Sequence, residues 1–230
     1  MTFEQQSGDI REKIQKLAAE ALEQSNPSGW FDTLYAEAKG NVSQIPWAKL
    51  SPHPYLEDWL QRYCLDGNDR CALVIGCGLG DDAEALSDRH FQVTAFDISP
   101  TAIEWCHSRF PDSKVSYSVE DLFALPSDWQ YQFDFVFESR NIQALPLTVR
   151  STVIEAIASL VRPGGTLLLI DHWRDTDTPP EGPPWALSDT ELAHFEKCGL
   201  EPVRRDIFPI DNNNTAQLIR CEYHRISDQS

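Results

Sequence analysis

The chain has 230 residues, 41% hydrophobic and 10% aromatic, a globular composition with room for one large domain or two small ones. Its 36 acidic and 19 basic side chains give a formal charge of −17, a surface that repels phosphate backbones and excludes a nucleic-acid partner unless a basic patch exists; none is visible. No apolar run approaches the ~20 residues of a membrane span, and the N-terminus lacks a basic region followed by an apolar one, so a soluble, cytoplasmic chain with no membrane partner is expected.

Residues 3–24 read as a helix, with an apolar stripe at Phe3, Ile10, Ile14, Leu17, Ala18, Ala21 and Leu22. The turn formers Ser25-Asn26-Pro27-Ser28-Gly29 stop it. An aromatic stretch from Trp30 to Tyr35 follows, then Ile45-Pro46-Trp47, then a second amphipathic helix carrying Leu56, Trp59, Leu60 and Tyr63. From residue 71 strands alternate with helices. The spacing predicts strands at 71–75, 92–97, 114–117, 133–137 and 166–171, with helices at 82–89, 100–109 and 146–161. Pro163-Gly164-Gly165 reads as the turn into the fifth strand. Ser188-Asp189-Thr190-Glu191 reads as a capping box opening a helix that ends at Gly199. Two last strands, 201–208 and 215–224, flank the hairpin loop Asp211-Asn212-Asn213-Asn214.

This alternation predicts an α/β fold, a doubly wound and mostly parallel sheet closed by an antiparallel C-terminal hairpin. Residues 1–66 form a helical N-terminal extension and 67–230 the main domain. Cys64, Cys71, Cys77, Cys106, Cys198 and Cys221 include no C-x-x-C pair, so buried thiols are expected rather than a metal or redox centre.

The first strand runs into Gly76-Cys77-Gly78-Leu79-Gly80-Asp81-Asp82, at the end of the sheet where open α/β folds bind ligands. The spacing is G-x-G-x-G, not the G-x-G-x-x-G of dinucleotide loops, and two carboxylates after it would repel a pyrophosphate. An ammonium-bearing ligand suits it better. Asp97, 21 residues beyond Gly76, ends the second strand, where a carboxylate can accept from both ribose hydroxyls. The competing reading is a tight turn with a helix-capping Asp.

Residues 72–82 resemble motif I of class I S-adenosylmethionine-dependent methyltransferases. Phe96-Asp97-Ile98-Ser99-Pro100 is similar to that family's ribose-binding motif, and Arg162-Pro163-Gly164-Gly165 to the entry of its fifth strand. A narrower resemblance is to the thiopurine and thiol/halide methyltransferase branch. It is carried by the apolar Val74, by Asp82, by the stretch from Glu138 to Pro146 followed by Arg150, and by Gly182-Pro183-Pro184-Trp185. Upstream, Trp30 and Pro46-Trp47 resemble the aromatic segment that lids the cofactor. One departure is Ser139, which displaces the branch's arginine by one place, to Arg140.

The resemblance implies a Rossmann-like, seven-stranded methyltransferase fold with S-adenosyl-L-methionine as cofactor. Its implied cofactor contacts are Trp30, Trp47, Gly76, Cys77, Gly78, Gly80, Asp82, Asp97, Ile98, Asp121, Leu122 and Glu138. Trp30, Phe31 and Trp47 read either as an aromatic wall around a sulfonium or as ordinary packing. Glu120-Asp121-Leu122-Phe123 falls where the family holds adenine. Substrate contacts are expected from Phe31, Arg140, Trp173 and Trp185. The fourth strand lacks the [Asn/Asp/Ser]-Pro-Pro-aromatic motif of amino-methylating nucleic-acid enzymes, and no metal-ligand cluster is visible. The resemblance implies a small thiol, selenol or halide as acceptor, and these absences fit it, since thiols ionise near pH 8.5 with little help. Arg140 is a candidate to hold an anionic acceptor; His172 is either a general base or a structural histidine. A small O- or N-acceptor, or a non-catalytic S-adenosylmethionine-binding protein, is the alternative; a monomer or a homodimer is equally compatible.

Overall fold

Among the residues described by this computed structural model (3–23, 26–63, 66–180, 182–210 and 216–227, with backbone alone at 3–11 and 22), seven strands form one sheet. They are β1 (Cys71–Ile75), β2 (Gln92–Asp97), β3 (Ser116–Val119), β4 (Phe133–Ser139), β5 (Val161–Trp173), β6 (Leu200–Pro209) and β7 (Gln217–Arg225). The order is β3-β2-β1-β4-β5-β7-β6, with β1 to β5 parallel and β7 antiparallel to both β5 and β6. The order reverses between β2 and β4, so the carboxyl ends of β1 and β4 open onto one crevice.

Each central strand is apolar throughout because both of its faces are covered. Leu73 and Ile75 of β1 and Leu167 and Leu169 of β5 pack with α6 (Arg150–Leu160) and α7 (Asp189–Lys197). Ala72 and Val74, with Leu168 and Ile170, face the opposite layer, α3 (Pro54–Arg62) and α4 (Asp81–Ser87). The remaining helices are α1 (Phe3–Glu23), α2 (Trp30–Ala38) and α5 (Pro100–Arg109).

Several boundaries differ from the predicted ones. The aromatic stretch at 30–35 is part of α2, whose buried Trp30, Leu34, Tyr35 and Ala38 recur at helical spacing. β3 starts at Ser116, where pairing with Thr94 begins. Helix α6 starts only at Arg150, because two 3₁₀ turns, Ile142–Ala144 and Leu147–Val149, fill the segment around Pro146. Pro163-Gly164-Gly165 lies inside β5, which pairs with β4 from Val161 onward through an irregularity and with β7 as far as Trp173. The capping box is present: Ser188 Oγ accepts from the Glu191 amide and Glu191 Oε2 from the Ser188 amide.

Within the N-terminal 66 residues, α3 belongs to the packing of the sheet. Leu56, Trp59 and Leu60 are buried, and Trp59 Nε1 donates to Glu222 Oε2 of β7 at 2.8 Å. Cys77, Cys106 and Cys221 are buried free thiols, Cys198 is half-buried and Cys71 is exposed. Cys64, Ser25, the hairpin loop at 211–214 and the side chains of Phe3, Ile10 and Leu22 lie outside the described residues. Among the described residues no helix is long and apolar enough to cross a membrane.

Candidate active site

The glycine loop takes its shape from backbone that side chains resist. Gly76 has φ of +55°, and a Cβ there would lie 1.8 Å from Asn141 Oδ1. Gly78, at φ of +54°, has only the Tyr35 hydroxyl near its missing Cβ, at 3.2 Å. Gly80 caps α4, and the Cys77 amide bonds to the Phe96 carbonyl of β2. Asp97 anchors the loop: Oδ2 accepts from the Gly78 amide at 2.9 Å and Oδ1 from the Ser99 amide at 3.0 Å. Burial nevertheless pushes its carboxyl up to about 6, against the lowering effect of the Ser99, Gly78 and Ile98 amides. Each carboxylate oxygen keeps a lone pair for a further donor. Asp81 is neutralised by a bidentate contact with Arg109, at 2.8 and 2.7 Å.

Over this loop lies an aromatic cluster. Trp30 stacks on Phe31 with centroids 4.0 Å apart, and Trp47 meets both edge-on at 6.0 Å. Trp47 Nε1 donates to the Tyr35 hydroxyl at 2.7 Å, while Trp30 Nε1 is buried without an acceptor. Trp185 packs against the same cluster. Its amide bonds to the Gln143 carbonyl at 2.7 Å and its carbonyl to Arg150 at 3.0 Å. Sequence reasoning missed Tyr35 and Asp32. Asp32 of α2 accepts from Ser99 Oγ at 2.6 Å and the Thr101 amide at 3.2 Å. The helical spacing of Trp30, Leu34 and Tyr35 was the available signal for α2; nothing in the sequence pointed to Asp32.

At the ends of β4 and β5 the structure gathers Arg140, His53, His172 and Asp82. Arg140 has φ of +66°, a left-handed conformation that strains a non-glycine residue, and its amide bonds to the Ile170 carbonyl at 3.1 Å. Its Nε is buried without an acceptor. Asp82 Oδ1 accepts from the His53 amide at 2.6 Å; desolvation raises its carboxyl to about 6, and Arg140 pulls the other way. Desolvation and then the positive field of Arg140 hold both His53 and His172 down at about 4, so both imidazoles are neutral at physiological pH. His53 has no sequence pattern of its own; only the fold brings it here.

Two expected contacts, Glu138 and Trp173, turn to the α6–α7 side of the sheet. Glu138 is fully buried on the α6 face, where Oε1 accepts from the amides of Asn141 and Ile142, at 2.7 and 3.1 Å, and Oε2 turns to Asp171. Its Oε2 is buried on that face of the sheet. Trp173 falls on the side of β5 opposite His172, by strand alternation, and donates to Asp189 Oδ1 of α7 at 2.7 Å beneath Arg205. Asp121 spends Oδ1 on the Phe123 amide at 2.9 Å; Leu122 packs with the α6-side core.

The sheet order, the positive-φ glycine loop and the acid ending β2 define a class I S-adenosylmethionine-dependent methyltransferase. Residues 37–226 match the family model described as thiopurine S-methyltransferase, and the chain belongs to that family. It is 29% identical over 201 residues to "Probable thiol methyltransferase 2" of Arabidopsis thaliana, covering 85% of this chain and 81% of that one. To the thiopurine S-methyltransferase of Photobacterium profundum it is 25% identical over 157 residues, 60% of this chain and 70% of the relative. The fold is that of the N-methyltransferase NodS of Bradyrhizobium japonicum in complex with S-adenosylhomocysteine, with a TM-score of 0.63, 19% identity and coverage of 84% and 98% of the two chains.

Proposed function

We propose that this methyltransferase acts on a small thiol, selenol or halide. The observation that carries the reading is Arg140, a strained arginine with a buried, unpartnered Nε, set between two neutral histidines at the mouth of the cofactor crevice. A guanidinium flanked by uncharged imidazoles favours an acceptor that reacts as an anion, with Asp82 as the opposing charge nearby.

The residues around the crevice fit S-adenosylmethionine, which supplies an electrophilic methyl group carried on a sulfonium. Asp97 offers free lone pairs for ribose hydroxyls, and Gly76, Gly78 and Gly80 let a ligand approach the backbone. Trp30, Phe31 and Trp47 supply ring faces worth about 0.5–2 kcal/mol per good cation contact. Trp30 Nε1 remains as a donor without an acceptor. Together with Cys77, Asp82 and Ile98 these are the proposed cofactor contacts; Phe31, Arg140 and Trp185 are the proposed acceptor side. Residues 26–50 act as a lid, excluding water so that alignment of donor and acceptor carries most of the catalysis.

Release of S-adenosylhomocysteine, measured with panels of thiols, halides, amines and phenols, tests the acceptor class. Arg140→Ala should raise the acceptor KM by ~10–100-fold, the loss of one charge-assisted contact, while changing cofactor Kd far less. Turnover of an amine or carboxylate with thiols and halides inert would overturn the acceptor assignment.

A further inference from the structure

Arg140 is flanked by two histidines, and their hydrogen bonds give them opposite tautomers. His53 caps α3: its Nδ1 faces the Tyr55 amide at 3.2 Å, and a backbone N–H can only donate, so Nδ1 is the lone-pair nitrogen. The proton of the neutral ring then sits on Nε2, which faces Arg140 Nη2 at 3.4 Å as donor against donor. His53 has no nitrogen free to take a proton.

His172 is arranged the other way. Gln143 Oε1 lies 2.6 Å from the His172 amide and 2.6 Å from its Nδ1. The amide N–H identifies that Gln143 atom as the oxygen, so Nδ1 must donate to it and Nε2 carries the bare lone pair. Gln143 is buried on the 3₁₀ turn after β4, and its carbonyl holds the amide of Trp185. The residue that orients the imidazole is therefore also tied to the loop over the crevice.

We infer that Gln143 is a positioning residue that fixes His172 as a base, and that Nε2 of His172 takes the proton of an acceptor that arrives protonated. This rests on the methyltransferase reading and narrows the acceptor to a thiol or selenol, since a halide has no proton to give. In the step the acceptor's S–H bond breaks, its electron pair stays on sulfur as a thiolate beside Arg140, and an N–H bond forms at Nε2. The imidazolium then passes its proton to water. The thiolate offsets the field of Arg140 that disfavours imidazolium in the ligand-free site, so His172 gains basicity when it is needed.

The test uses His172→Asn, which keeps a donor toward Gln143 and deletes Nε2, and Gln143→Glu, whose carboxylate keeps the acceptor and makes the ring more basic. Nitrogen-15 shifts of the wild-type His172 ring, without any ligand, should show a protonated Nδ1 and a bare Nε2, and Gln143→Glu should raise its titration midpoint. His172→Asn should lower turnover of an aliphatic thiol by ~10²-fold while leaving an arylthiol already ionised at neutral pH, and iodide, within a few-fold of wild type. An Nε2–H tautomer, or equal losses on ionised and protonated acceptors, would overturn the inference. A wild type active on phenols or amines but not thiols would overturn the thiol step while leaving the methyltransferase reading standing. Activity on halides only overturns the proton step.

Discussion

Asp97 is held in two roles at once, as acceptor for two loop amides and as the free carboxylate at the end of β2. With its carboxyl near 6, it is largely ionised at neutral pH and largely protonated at pH 5. A ribose donating to it selects the ionised form, so acidification should weaken cofactor binding. Calorimetric titration should give a Kd about tenfold weaker near pH 5 than near pH 7.5. Asp97→Asn should bind at least as weakly at neutral pH as the wild type does at pH 5. Equal affinity of the folded variant at neutral pH would remove Asp97 from the site.

At the scale of elements, α2 is latched to the ligand-binding end of the sheet by one side chain. Asp32 takes the Ser99 hydroxyl and the Thr101 amide, at the start of the helix that follows Asp97. Tyr35, one turn further along α2, lies against Gly78 and receives Trp47. Ordering of α2 and ordering of the glycine loop thus share contacts. Hydrogen exchange over residues 26–50 should slow when S-adenosylhomocysteine is added. Asp32→Ala removes two bonds worth about 1 kcal/mol each and should speed exchange there in the ligand-free protein. Exchange insensitive to both ligand and variant would leave α2 a fixed cap.

Across the whole molecule, a buried charge cluster ties β4, β5, α6 and α7 together beneath the crevice. Arg150 is buried and lies 3.4 Å from Glu191, which also meets Arg174 at 3.0 Å. Asp171 and Glu138 face each other on the same side of the sheet, both fully buried. Burial, then the charge of Glu138, pushes the Asp171 carboxyl well up, and burial raises Glu138 too. The upward push on both carboxyls favours a proton on Asp171, and the charges that remain balance the two arginines. Asp171→Asn should therefore change stability by less than about 1 kcal/mol at neutral pH, because the amide reproduces the neutral partner. Arg150→Leu should cost ~3–5 kcal/mol in denaturant unfolding, because it strands buried carboxylates. Equal losses in the two variants would mean that Asp171 is not held protonated.

Local patterns determined much of this. The continuous apolar run at 71–75, the capping box at Ser188–Glu191 and the glycines with Asp97 each depend on neighbours in sequence, and each stands in the fold as written in the chain. Strand-helix alternation likewise required a parallel sheet, because parallel neighbours need crossovers. Element type failed where tertiary pairing competed with local signals. Pro163-Gly164-Gly165 continues inside β5 because β4 pairs with that strand on both sides of it, at Val161 and again from Thr166. The proposed acceptor side was legible only in part. Arg140 and His172 stood out, but which face Trp173 takes depends on strand register, and Glu138 is withdrawn by the amides of the turn that follows it. His53 and Gln143 were missed because they meet Arg140 and His172 across 87 and 29 residues of chain, although His53 also caps its own helix at Tyr55. Tautomers are decided by which donor faces which nitrogen, and only the folded chain sets that.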